Sequence, residues 1–94
     1  MSGPFRENVE GERFELEVDG HVAFIAYRFV EGDMVLVHTD VPEALGGRGV
    51  GSDLAKRTFD LLRATGRKAL VTCPFLVAWL KRHKDYLDVA TPLE

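Results

Sequence analysis

Gly46-Gly47-Arg48-Gly49-Val50-Gly51-Ser52 lies between a strand-like run, Met34 to Thr39, and a segment beginning at Val50 whose apolar residues recur at helical spacing. Strand, glycine turn and helix in that order form the first half of a strand–helix–strand unit, so this stretch argues for an α/β fold. Glycine lets the backbone come close to a ligand, and the helix start behind it presents N–H groups that the helix leaves unpaired. The ligand expected at such a turn is an anion, with phosphate or pyrophosphate first in line.

The glycine spacing excludes two common phosphate loops. A P-loop requires Gly, four residues, Gly, then Lys and Ser or Thr, whereas Gly46 and Gly51 are followed directly by Ser52. The dinucleotide fingerprint fails as well, because Ser52 and Leu54 stand where its third glycine would fall in the two possible registers. What remains is a Gly-x-Gly turn leading straight into a helix.

Working outward, Arg13-Phe14-Glu15-Leu16-Glu17-Val18 alternates charged and apolar residues, the pattern of a strand with one buried face. Asp19-Gly20 predicts a type I′ turn into a second strand, His21 to Phe29, apolar enough on both faces to suggest cover on two sides. Glu31-Gly32-Asp33 turns the chain into the third strand, completing an antiparallel meander. Beyond the glycine turn, Val50, Leu54, Leu61, Leu62 and Thr65, flanked by Ala55 and Phe59, mark the apolar face of a helix that Gly66 ends. Ala69-Leu70-Val71-Thr72 reads as a fourth strand, placed parallel to the third by a right-handed crossover. Pro74 opens a second helix running to about Lys81 and burying Phe75, Leu76, Ala78 and Trp79. Leu87 to Ala90 suggests a short edge strand, with the first ten and last four residues loose. The expected fold class is thus α/β, a mixed sheet with two helices.

At 94 residues, residues 1–94 are expected to form a single domain, and apolar and charged contents of 46% and 29% suit a folded soluble chain. No apolar run reaches membrane-span length, and Met1–Glu10 lacks the pattern of a secretory signal, so a cytoplasmic protein with no membrane partner is expected. Cys73 is the lone cysteine, which excludes an internal disulfide. Three scattered histidines offer no metal-ligand spacing. The net charge of −3 hides an asymmetry: three basic residues face ten acidic ones up to Gly47, and nine face five from Arg48 onward. A basic half that begins at the glycine turn suits an anionic ligand, while the acidic balance and the lack of a basic, aromatic-laced stripe argue against nucleic acid.

In a strand–helix–strand unit the ligand sits at the strand C-termini and the helix N-terminus. That rule collects His38, Thr39, Asp40 and Val41, the turn Gly46, Gly47, Arg48, Gly49, Val50, Gly51 and Ser52, and Thr72-Cys73. In this order, His38-Thr39-Asp40-Val41 before Gly47-Arg48-Gly49-Val50-Gly51, then Cys73-Pro74-Phe75, then His83 with Tyr86, the residues resemble small single-domain members of the GNAT acetyltransferase superfamily. The resemblance runs from about Glu17 to Tyr86. It implies acetyl-CoA as cosubstrate, its diphosphate on the turn and its pantetheine arm between the third and fourth strands near Thr39 and Val41. The superfamily's turn reads Arg or Gln, two residues, Gly, one residue, then Gly or Ala; Gly46 departs from it at the first position.

Cys73, between a strand and a helix start, stands where a thiolate would be favoured, or where a small buried hydrophobe would serve. His38, or Asp40 in its place, is the candidate base toward Cys73 or an incoming amine; a hydrogen-bonded structural role is the alternative for His38. His83 and Tyr86 are expected to pack at a helix end, and Trp79 in the core. The expected function is transfer of an acetyl group from acetyl-CoA to an amine, of a small molecule or a protein, directly or through Cys73. The alternatives are a CoA or acyl-CoA-binding module without turnover and an interaction protein whose turn is only a turn.

Overall fold

The computed structural model, which describes residues 4–93, builds a sheet by the turn chemistry read from the sequence. Asp19 and Gly20 both take positive φ, 49° and 80°, the geometry of a type I′ turn, and Glu31 and Gly32 repeat it. These turns join β2 (Arg13–Val18), β3 (His21–Val30) and β4 (Asp33–Asp40) as the expected meander. Outside it lies β1 (Phe5–Asn8), antiparallel to β2, within the ten residues expected to be loose. Its side chains anchor it: Phe5 stacks on Phe14, and Glu7 receives two hydrogen bonds from Arg67 and one from the Tyr27 hydroxyl.

Helix α1 (Val50–Ala64) leads to β5 (Ala69–Val71), and helix α2 (Pro74–Arg82) leads to β6 (Ala90–Pro92). The strands lie in sequence order, β4, β5 and β6 running parallel. The last strand therefore begins where the expected one, Leu87–Ala90, ends; Val89 bonds back into the turn at Tyr86, and Leu93 N–H donates to Val71. Gly66 closes α1 as a Schellman cap, with Arg67 N–H on Leu62 and Gly66 N–H on Arg63.

Both helices pack on one face of the sheet, α1 against β2 and β3, α2 against β4 and β6, and the two against each other. There Phe14, Leu16, Ile25, Leu36, Leu54, Phe59, Leu62, Val71, Leu76, Trp79 and Leu80 form one core with no more than 1% of any side chain exposed. The opposite face is uncovered, so β3 has one buried side rather than the two its composition suggested: Val22 and Arg28 are exposed, and Phe24 and Ala26 half-buried. The buried faces differ in detail from the periodic reading. Thr58 of α1 is fully buried, whereas Thr65 is the exposed C-cap just past the helix; in α2, Phe75 and Ala78 are exposed while Leu76, Trp79 and Leu80 are buried. Among the described residues no helix is long and apolar enough to cross a membrane.

Two carboxylates clamp the meander. Hydrogen bonds from Arg67, opposed by burial and reinforced by Tyr27, hold the Glu7 pKa below its ordinary value. Burial pushes Glu15 the other way, yet bonds from Asn8, Arg6 and Arg13 outweigh it, so its pKa also falls. Burial and the bond to Glu7 raise Tyr27 to about 12. A carboxylate with a lowered folded pKa contributes stability that is present above the ordinary glutamate value of about 4.3 and is lost as pH falls through the folded value. Glu7→Gln should therefore destabilise the protein by about 1 kcal/mol at neutral pH, where the pair is partly solvated. In urea titrations the gap to wild type should shrink at about pH 3; a gap that persists there would show that the ion pair is not its source.

Thr58 offers a converse case. Its hydroxyl is buried with no hydrogen-bond partner among the described residues. Thr58→Val, which keeps the shape and removes the unpaired group, should raise stability by about 1 kcal/mol, or several degrees in Tm. An unchanged or lower Tm in differential scanning calorimetry would show that the hydroxyl is satisfied in solution.

Candidate functional site

Strand β5 runs beside β4 for only two residue pairs, Val35 with Leu70 and Leu36 with Val71. The Leu36 carbonyl then accepts two N–H groups, from Thr72 at 3.0 Å and Cys73 at 3.2 Å, and the chain turns away into α2 at Pro74. At the same level β4 carries a bulge: Ala26 pairs with His38 and Tyr27 with Leu36, leaving Val37 as the extra residue. From Val37 to Asp40 the β5-facing edge of β4 has no strand partner among the described residues. A wedge opens between the strands, with Cys73 at its apex.

The glycine turn stands at the wide end. Gly49 is the N-cap of α1 in the left-handed region, φ 73° and ψ 14°, and no side chain caps the helix. Asp53 N–H makes the first helical bond, to Gly49, so the N–H groups of Val50, Gly51 and Ser52 carry no intrahelical bond. They border a groove of roughly 410 Å³ lined by Val41 and Pro42, Gly46, Gly47 and Gly49, the first turn of α1, and Phe75 and Arg82 of α2. Three donors without intrahelical partners and the positive end of a helix dipole suit a phosphate or diphosphate group.

The remaining residues of the turn serve packing as well. A Cβ on Gly51 would stand 2.9 Å from the Phe75 ring, so glycine here lets α1 and α2 meet. The Ser52 hydroxyl accepts the Trp79 indole N–H at 2.8 Å. Arg48 pairs with Asp19, 2.8 Å away on the β2–β3 turn, and its guanidinium holds the Asp19 pKa below the ordinary value.

Around the apex the structure joins two of the residues singled out from sequence. Thr39 Oγ1 lies 3.3 Å from Cys73 Sγ, and the thiol is 3% exposed. His38 and Asp40 are on the other side: their cross-strand partners Ala26 and Phe24 belong to the uncovered face, whereas Thr39 pairs with Ile25 of the core. Both are exposed, and His38 lies edge-on to Phe24 at 6.3 Å. His38 makes no hydrogen bond to Cys73. His83 stacks on Trp79 at 3.9 Å, and buried Tyr86 donates to Asp60 at 2.7 Å, a bond that together with burial raises the Tyr86 pKa. These two residues pack at the exit of α2, as expected.

Sequence reasoning missed Arg82 and Glu43 as neighbours of the turn, and the Arg48–Asp19 pair. The only signal for Arg82 was its spacing: it follows Phe75 and Trp79 by seven and three residues and shares their helix face.

Comparison with known proteins agrees with this fold. A family model described as GCN5-related N-acetyl-transferase matches residues 13–89. Protein NATD1 of Mus musculus is 32% identical over an alignment spanning 98% of this chain and 90% of the mouse protein. Protein NATD1 of Danio rerio is 33% identical, with 81% of this chain and 74% of the fish protein aligned. The solution NMR structure of a GCN5-like protein from Staphylococcus aureus superposes with a TM-score of 0.71 at 31% identity, covering 97% of this chain and 90% of the other. The family model spans the meander, the parallel crossover and the glycine turn at the head of α1, and the mouse relative and the solved structure cover nearly the whole chain: the chain belongs to the GCN5-related N-acetyltransferase family.

Proposed function

We propose that this chain, acting as a single acyltransferase domain, binds acetyl-CoA and passes the acetyl group to an amine. The observation that carries this reading is the continuity of the site: the uncapped N–H groups of Val50, Gly51 and Ser52 border a groove beside Val41, and the β4 edge at Thr39 and Asp40 leads from there toward Cys73. The donors suit a diphosphate. The unpaired β4 edge suits a chain of amides adding like a strand, which is the form of a pantetheine arm.

Two routes for the transfer have support. In the direct route the amine nitrogen bonds to the thioester carbon, the carbon–sulfur bond breaks, and coenzyme A leaves as thiolate. The amine's proton passes to His38 or Asp40, both exposed on the uncovered face from which an acceptor would arrive. In the relay route the Cys73 thiolate attacks the thioester carbon, the bond to the coenzyme A sulfur breaks and coenzyme A leaves as thiolate. The amine then attacks the acetyl-cysteine, gives up its proton to the base, and releases Cys73 as thiolate. The position of Sγ at the wedge apex supports the relay, and its burial against Thr39 opposes it. The uncovered face suits a protein or peptide amine as well as a small molecule, within the reducing cytoplasm that a lone thiol favours.

Binding of CoA without turnover is the second reading. It is favoured by one observation, that neither His38 nor Asp40 is hydrogen-bonded to Cys73, so nucleophile and base are not preassembled.

Isothermal titration calorimetry tests the first step. Wild-type protein should bind coenzyme A, and Gly49→Val should weaken binding at least tenfold, because a β-branched residue is strained at φ 73° and reshapes the donor turn. No heat from the wild type, or equal affinity in the variant, would remove the glycine turn from the site.

Mass spectrometry separates the routes. If Cys73 is the relay, it should be protected from alkylation by coenzyme A, become acetylated on addition of acetyl-CoA, and be required for transfer to a model amine. Undiminished transfer by Cys73→Ala would leave the direct route, in which case His38→Gln or Asp40→Asn should lower kcat. Acetyl-CoA binding with no transfer to any amine and no adduct would favour the module without turnover.

A further inference from the structure

We propose that Arg82 is the side chain that meets the diphosphate of a bound coenzyme A, supplying from α2 the cation that the glycine turn lacks at Gly46. The proposal rests on the acetyl-CoA reading of the groove and adds a residue outside the turn to it.

Among the described residues lining the groove only two are charged, Arg82 and Glu43. The turn itself provides no free cation. Gly46 has no side chain, and the Arg48 guanidinium is held by Asp19 and does not line the groove. Backbone N–H groups at the head of α1 contribute about half an elementary charge, too little to match a diphosphate that is ionised on each phosphorus and faces the Glu43 carboxylate.

Helix packing puts Arg82 where it is needed. Phe75 fits against Gly51, and Trp79 donates to Ser52, so one face of α2 is fixed against the first turn of α1. Arg82 is the next residue on that face. Its neighbour Lys81 lines a different groove, beside Thr72 and Leu93. Arg82 is exposed and its side chain has no ion pair or hydrogen bond with another described residue, so its planar fork is available for two parallel bonds to phosphate oxygens. A cation also suits the last turn of a helix, and Arg82 therefore costs the fold nothing.

Calorimetric titration of coenzyme A into wild type, Arg82→Gln, Arg82→Lys and Arg48→Gln, each at roughly 50 and 200 mM salt, tests the proposal. Arg82→Gln is expected to lose at least tenfold in affinity and to show a flatter salt dependence, with Tm unchanged. Arg82→Lys should retain part of the affinity, and Arg48→Gln most of it. Adding Gly46→Arg to Arg82→Gln should recover binding, since it returns a cation to the same anion. Wild-type affinity and salt dependence in Arg82→Gln would overturn the proposal while leaving the acetyl-CoA site standing. A loss of affinity with an unaltered salt dependence would overturn it too, by showing a packing role. Failure of the wild type to bind coenzyme A would overturn the acetyl-CoA reading, and the role of Arg82 with it.

Discussion

The Leu36 carbonyl ends the pairing of β4 and β5, and the shape of the site follows from that one group. By accepting both Thr72 and Cys73 N–H it uses the last backbone bonds the two strands can share. Pro74 has no N–H to extend the ladder, but its fixed φ suits the first turn of a helix, so the chain leaves the sheet there. The bulge at Val37 turns the other side of the wedge at the same level. A sheet that would otherwise pair continuously instead exposes an unpaired edge in its middle. Backbone N–H and C=O groups seek partners, so the unpaired edge beside the groove is left for solvent or a ligand to satisfy.

The second determinant is that both crossovers cover the same face. The helix face holds the donors of α1, the Thr39–Cys73 contact and the groove; the uncovered face holds His38 and Asp40. Strand alternation separates neighbours in sequence by the thickness of the sheet. The wedge is the approach from one face to the other. The two-residue turn between β2 and β3 leaves that approach open and also brings Asp19 within reach of Arg48.

Charge is redistributed on folding. The basic second half seen in the sequence is largely spent on carboxylates: Arg67 on Glu7, Arg48 on Asp19, Arg63 on Asp88, and Lys56 on Asp60. Exposed pairs of this kind contribute little individually, but the Glu7 cluster ties β1 and β3 to the segment after α1 and so holds the edge of the sheet. Arg82 is left facing the groove, where its charge has no internal use.

Local chemistry was legible without coordinates. Turn residues with positive φ, the change from a period of two to a helical period at Val50, the glycine cap at Gly66 and the proline at the start of α2 each act within a few residues. The meander, both helices and the glycine turn that opens α1 are therefore written in the sequence, and so was the position of Cys73 at a strand–helix junction. What only tertiary structure decided was which of these elements meet. Phe5 and Glu7 become a strand because Phe14, Tyr27 and Arg67 lie across from them, not because of their own propensity. Thr58 is buried and Thr65, on the same helix face, is exposed because α1 ends at Ala64, so that Thr65 lies beyond the sheet-facing turns. His38 and Cys73 were grouped by topology, yet the bulge at Val37 and strand alternation put His38 on the far face. Arg82 entered the site through two contacts of its helix, at Phe75 and Trp79, that no local pattern encodes. Long-range packing fixes such pairings, because it selects among rotations and registers that local preferences leave nearly equal in energy.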